Sequence, residues 1–205
     1  MAAGTVIRTI AGIGSPRGLT WDGRTLWVSD NAKWLIIQID PVTGTVIRGF
    51  AAPWTQARGL TWDGRTLWHI DITANLIYQI DPVTGTVLRS FAATDVGLGL
   101  TWDGRTLWTN DLLTQQIYQV NPVTGTYVRD FAAPAQTATG MAWDGHMLYV
   151  ADAGANAVYQ VDPVTGTVIR SFATPGNDAQ GLAWDGRALW VVDATANAIY
   201  QVSVN

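Results

Sequence analysis

Cysteine and glutamate are both missing from this chain, and lysine occurs once, at Lys33. Without cysteine, disulfide frameworks and thiolate metal sites are excluded. Without glutamate, all sixteen acidic residues are Asp. Charged residues make up 14% of the sequence, well under the roughly 25% of ordinary soluble domains. No apolar run approaches the roughly 18 residues that a membrane span needs. The start carries no basic segment followed by an apolar one, so no signal peptide is expected and the chain reads as soluble. A net charge of -4 argues against a nucleic-acid backbone as partner. His69 and His146 are the two histidines, too few for a histidine-spaced metal motif, so no metal is expected. The glycines do not form a phosphate-cradling strand-to-helix loop, so no cofactor is expected either.

What is present is repetition. Gly-Leu-Thr-Trp-Asp-Gly-Arg-Thr-Leu-Trp begins at Gly18, Gly59 and Gly99 and returns in altered form at Gly140 and Gly181. The spacings are 41, 40, 41 and 41 residues, and 205 residues are five times 41. A second string, Pro-Val-Thr-Gly-Thr, begins at Pro41, Pro82, Pro122 and Pro163. A period near 40 fits propeller blades or helical repeats. Local chemistry selects the former. Each unit holds four short runs rich in Val, Ile, Thr and aromatics, punctuated by Gly, Pro and Asp. In the second unit these are Gly59–Trp62, Thr66–Ile70, Leu76–Ile80 and Thr86–Phe91. Asp63-Gly64 suits a two-residue hairpin turn of positive φ. Asp81-Pro82-Val83-Thr84-Gly85 suits a tight turn with proline fixing φ. The unit is therefore a four-stranded meander, with strands named A to D in chain order.

Alternation along strand A sets Leu60 and Trp62 on one face and Gly59 and Thr61 on the other. Large faces stacking on small faces bury both sides of every sheet, which a ring of blades requires. Trp27, Trp68, Trp108, Tyr149 and Trp190 recur in one column and read as core. Gly4-Thr5-Val6-Ile7-Arg8 matches Gly44-Thr45-Val46-Ile47-Arg48, a strand D without its A, B and C, while the C-terminal Ile199–Val202 is a strand C without its D. The expectation is one domain over 1–205: an all-β, closed five-bladed β-propeller of four-stranded antiparallel blades. Its units start near 18, 59, 99, 140 and 181, and residues 4–10 complete the C-terminal blade.

The unit Gly-Leu-Ala-Trp-Asp-Gly-Arg-Ala-Leu-Trp-Val-Val-Asp resembles blades of bacterial and plant glutaminyl cyclotransferases. The Asp71…Asn75…Ile77, Asp152…Asn156…Val158 and Asp193…Asn197…Ile199 elements also resemble NHL-type repeats. The resemblance covers nearly the whole chain and implies a propeller. It also implies cyclotransferase activity with a catalytic Glu, and this sequence has no Glu. Blade motifs are scaffold, and function resides in sites grafted on it. Near-identity of the units points to recent amplification of one blade or to an engineered, consensus-like chain.

Residues carried by every repeat are set aside first, because a site needs asymmetry. Thirteen of the sixteen Asp residues lie in the Trp-Asp-Gly turns, at the end of strand B, or before the Pro-Val-Thr-Gly turns; Asp95, Asp130 and Asp178 remain. The strand-B ring of Asp30, Asp71, Asp111, Asp152 and Asp193 has two readings, a cation site near the axis or five Asx-type turns. His69 replaces Val28, Thr109, Val150 and Val191 in its column and heads toward the B–C loop, as a site residue or a neutral core histidine. No Ser or Cys nucleophile stands in a triad setting.

The A–B and C–D turns hardly vary between units, whereas the B–C and D–A loops do. Loops on a rigid scaffold carry binding function, although tight turns also tolerate fewer sequences. Trp34 and Trp54 fall outside the repeated Trp columns, and either stack on a ligand or fold inward over the axis. The candidate ligand-binding set is Trp34, Trp54, Arg58, His69, Asp95 and Asp178, with no catalytic residue assigned. The expected function is a non-catalytic, monomeric scaffold or binding module taking a small molecule, glycan or protein on the variable face. A glutaminyl cyclotransferase-like enzyme and a lectin-like ring of equivalent pockets are the alternatives.

Overall fold

The computed structural model describes residues 1–93 and 97–205, and its elements are twenty short β-strands. The first full blade holds β2 (Pro16–Trp21), β3 (Leu26–Asp30), β4 (Leu35–Ile39) and β5 (Val46–Ala51). The second holds β6 (Ala57–Trp62), β7 (Leu67–Asp71), β8 (Leu76–Ile80) and β9 (Val87–Ala92). The third holds β10 (Gly97–Trp102), β11 (Leu107–Asp111), β12 (Gln116–Val120) and β13 (Tyr127–Ala132). The fourth holds β14 (Ala138–Trp143), β15 (Leu148–Asp152), β16 (Ala157–Val161) and β17 (Val168–Ala173). The fifth joins β18 (Ala179–Trp184), β19 (Leu189–Asp193) and β20 (Ala198–Val202) to β1 (Val6–Ala11) from the other chain end. All pairings are antiparallel between neighbours in each meander. Among the described residues no helix is long and apolar enough to cross a membrane.

The ring closes as the repeats imply. Arg8 to Ala11 pair with Gln201 to Ala198, and Val6 pairs with Val202. The closing strand thus runs from Val6 to Ala11, beginning two residues and ending one residue later than the expected 4–10. Gly4 N–H donates to the Ser203 carbonyl (2.8 Å) and Ser203 N–H to that of Thr5 (2.9 Å). Gly44 N–H to Asp40 O and Asp40 N–H to Thr45 O repeat this pair within the continuous first blade. The two chain ends rebuild the C–D turn across the break, with Gly4 at φ 82 and Gly44 at φ 74, a region that glycine enters without strain.

Innermost strands β2, β6, β10, β14 and β18 touch in ring order, and β18 touches β2. They approach backbone to backbone. A Cβ placed on Gly18 would lie 1.9 Å from the Arg58 carbonyl oxygen, and one on Gly181 2.3 Å from that of Arg17. This is the small face that the alternation anticipates. The apolar core is divided among the blade interfaces. Trp27 and Ile36 of the first blade meet Leu60, Leu67, Tyr78 and Ile80 of the second. Ile10, Trp190, Val192 and Ile199 of the fifth meet Leu19, Leu26, Val28, Ile37 and Ile39 of the first. Trp27, Trp68, Trp108, Tyr149 and Trp190 are buried, as their column implies, whereas Trp21, Trp62, Trp102, Trp143 and Trp184 are only half-buried. These strand-A indoles pack against the interface clusters with one side and edge the axial opening with the other.

Outer strands are tied by side chains. Arg48 lies 5.1 Å over the Trp27 ring and donates to Gln38 Oε1. Arg8 reaches the carbonyls of Pro41 and Val42 in the next blade's C–D turn. Arg129 reaches the carbonyls of Pro163 and Val164 in the same way.

Candidate functional site

The repeated aspartates serve the scaffold. Asp63 accepts from the backbone N–H groups of Arg65 and Thr66, from Thr66 Oγ1 and from Trp68 Nε1, the last at 2.7 Å. Burial raises its pKa, but the hydrogen bonds from Thr66, Trp68 and Arg65 outweigh it and hold the carboxyl below the usual range. Asp22 and Asp103 show the same balance of burial against hydrogen bonds from Thr25, Trp27, Thr106 and Trp108.

The strand-B ring is likewise local. Asp71 accepts from Gln56 N–H at the end of the preceding D–A loop and from Thr73 and Ala74 N–H in the B–C loop. Asp152 does so with Thr137 and Ala155, and Asp193 with Asp178 and Ala196. One carboxylate therefore clamps two loops of one blade, the Asx-type use that short polar side chains favour. Among the described residues no group of three His or Asp side chains converges for a metal ion.

Between those clamps the axis opens on the variable face. The residue before the axial glycine faces this mouth in each blade: Arg17, Arg58, Leu98, Thr139 and Gln180. Together with Ile72, Leu112 and Thr137 they line a cavity of about 350 Å³. Arg17 Nη1 stands 3.7 Å from Asp178 Oδ2, an ion pair too long for a hydrogen bond. Asp178 also accepts from Gln180 Nε2 and, at 3.3 Å, from Thr195 Oγ1. Burial lowers the Arg58 pKa, and the positive charge of Arg17 adds to this against the opposing effect of Asp178 and Asp71. The Nε–H groups of Arg17 and Arg58 are buried without an acceptor among the described residues.

The opposite end of the axis is nearly five-fold. Thr20, Thr61, Thr101, Ala142 and Ala183 alternate there with the five strand-A indoles around a cavity of about 80 Å³.

Trp34, Trp54, Arg58 and His69, though close in sequence, do not share one sector. Arg58 lines the mouth, and Asp178 pairs there with its neighbour Arg17. Trp34 and Trp54 lie apart in a rim groove of about 330 Å³ with Lys33, Leu35, Ala51, Ala52, Pro53 and Thr55. They are 57% and 51% exposed, and neither folds over the axis. Trp34 adopts φ 55, the left-handed conformation held at its equivalents by Asn75, Gln115, Asn156 and Asn197.

His69 lies short of the B–C loop toward which its strand heads. It sits in the middle of β7 opposite Leu60 and Tyr78, fully buried and stacked on the Tyr78 ring. Burial depresses its pKa to about 4, against small opposing contributions from Asp71 and the Gly59 carbonyl. Its Nδ1 is 3.3 Å from that carbonyl, and its Nε2 has no partner among the described residues. Asp95 lies outside the described residues.

Sequence reasoning passed over Arg17, Leu98, Thr139 and Gln180. The signal was present: in an otherwise repetitive strand A, the position before each axial glycine is Arg in two blades and Leu, Thr and Gln in the other three.

Fold and axial architecture define a five-bladed β-propeller. No family model and no curated protein matches the sequence. Among solved structures, the chain is similar to the glutaminyl cyclase of Myxococcus xanthus. The TM-score is 0.83 at 17% identity, covering 97% of this chain and 94% of that one. It is also similar to a catalytically inactive virginiamycin B lyase from Staphylococcus aureus in complex with quinupristin. There the TM-score is 0.58 at 18% identity, over 93% of this chain and 66% of that one. Hydrazine synthase of Kuenenia stuttgartiensis has a TM-score of 0.58 at 18% identity, over 88% and 56%. At such identities the likeness is one of fold.

Proposed function

We propose that the chain is a non-catalytic binding module whose site is the axial mouth on the face of the B–C and D–A loops. The observation that carries this reading is the column Arg17, Arg58, Leu98, Thr139 and Gln180, set against near-identical rings at the other end of the axis. Five-fold packing demands sameness, so a departure from it at one concave place argues for a ligand. The cavity is at the small end of ordinary ligand pockets, roughly 300–1,000 Å³, and combines apolar walls with a few polar groups. General acid/base catalysis needs a positioned group of suitable pKa. The acid at this mouth, Asp178, is already engaged by Arg17, Gln180 and Thr195.

A small-molecule library followed by two-dimensional NMR of the full chain tests the reading. Hits should shift resonances of Leu98, Ile72, Leu112 and Thr139 and leave Thr61 and Thr101 unmoved. Hits that map consistently elsewhere would overturn it. Robust cyclisation of a glutaminyl dipeptide would overturn the non-catalytic part and favour the cyclotransferase alternative.

One observation favours a second reading. Trp34 is held exposed in a conformation that suits Asn, and local strain of this kind often marks function. The Trp34–Trp54 groove would then stack a sugar or another flat apolar group. The paired indoles occur in a single blade, which supports one asymmetric site over the five equivalent pockets of a lectin-like ring.

A further inference from the structure

The donors at the mouth are not all free. Thr137 Oγ1 donates to Asp152 Oδ1 at 2.7 Å, and Thr139 Oγ1 donates to the Ala179 carbonyl at 2.6 Å. Gln180 Nε2 donates to Asp178. What remains short of partners is the pair of guanidinium groups: Arg17 has only the long ion pair with Asp178, and each has a buried Nε–H lacking an acceptor among the described residues. A buried donor left unpaired is costly, and here two like charges also disfavour one another. A fold built from five near-copies has no packing reason to place Arg twice where other blades place Leu, Thr and Gln. Both costs fall when an anion enters between Arg17 and Arg58. The guanidinium fork matches a planar, two-oxygen acceptor. Leu98, Leu112 and Ile72 line the same cavity with apolar surface, which suits a short hydrocarbon body.

Resting on the binding-module reading, we infer that the mouth takes a small organic carboxylate, its head between Arg17 and Arg58 and its apolar body against Leu98, Leu112 and Ile72. Two sources present this chemistry, a free alkanoic acid and the C-terminal carboxylate of a short peptide ending in an apolar residue.

The test is titration of the full chain with hexanoate, hexanamide, acetyl-alanyl-leucine and the amide of that peptide. Arginine Nε–H resonances of the unmodified protein and calorimetry are the readouts. A carboxylate should shift two arginine Nε–H signals and bind at least 10-fold more tightly than its amide. Whichever acid binds more tightly, hexanoate or the peptide, identifies the source. Arg58→Gln and Arg17→Gln should each weaken binding about 10-fold or more. Asp178→Asn, which frees Arg17, should strengthen it. If either Arg variant fails to fold, the Nε–H shifts of the unmodified protein decide the matter. Equal affinity for acid and amide, or carboxylate binding indifferent to both Arg substitutions, overturns the inference. Neutral ligands that shift Leu98 and Ile72 while carboxylates do not would overturn the carboxylate and leave the binding-module reading standing. Carboxylates that bind only away from the mouth would overturn both.

Discussion

Deleting residues 1–11 removes β1 and tests whether the ring depends on strand closure. The ladder from Val6 to Ala11 would go, at about 1 kcal/mol net per hydrogen bond. Freeing those residues recovers about 1–2 kcal/mol of backbone entropy each, so the two contributions roughly cancel. Burial then decides the sum. Ile10 is 5% exposed within the cluster of Leu19, Ile37, Ile39, Val192 and Ile199, and removing such a side chain costs about 2–5 kcal/mol. Partial exposure of Ile199 and Val192 brings the loss to about 5 kcal/mol, comparable with the lower end of domain stability. At about 2–3 kcal/mol per molar urea, the unfolding midpoint should fall by about 2 M. The bare edge of β20 should promote association, seen by light scattering. A permuted chain starting at Gly12, with Pro-Val-Thr joining Ser203 to Gly4, should melt like the parent, because the C–D turn already exists there in non-covalent form. A truncated protein that is monomeric with an unchanged midpoint would refute the reasoning.

Three further outcomes are expected. His69 has a folded pKa of about 4 against about 6.5 unfolded, so the unfolded chain binds the proton first; about 3 kcal/mol of stability is lost as pH falls from 6.5 to 4. His69→Val should flatten urea-derived stability over that window, and an unchanged slope would show that another group is responsible. Trp34→Asn should raise stability by about 1 kcal/mol by easing the left-handed conformation and should lower the acrylamide-quenchable fluorescence. A destabilisation would place Trp34 in tight packing. Asp63→Ala orphans Trp68 Nε1 and its companions and should cost about 3 kcal/mol, whereas Asp144→Ala should cost less, since Met147 replaces the threonine hydroxyl and Tyr149 the indole. Equal losses in urea unfolding would contradict this account of the turn.

Period, turn chemistry and alternation in the sequence disclose the blades, their order and the closing strand. These features are local or strictly repeated, and a backbone that repeats a 41-residue pattern five times has few ways to bury its tryptophans. The Asp residues could likewise be sorted by position, although the double clamp by Asp71 on two loops appeared only with its partners. The candidate site was harder to see. Trp34, Trp54, Arg58 and His69 are close in sequence, so they look like one sector. The blade separates them: a step along a strand moves a side chain along the axis or to the other face, a step between strands moves it radially, and equivalent innermost positions in distant repeats converge on the axis. Arg17, Leu98, Thr139 and Gln180 are therefore far from Arg58 in sequence and beside it in space. His69 turned inward because period-two alternation in β7 places it with Leu67 against the first blade. Sequence by itself determined the ring, since its cause is a repeated local pattern. Tertiary structure alone decided the mouth, since only closure brings one residue from each blade to a single point on the axis.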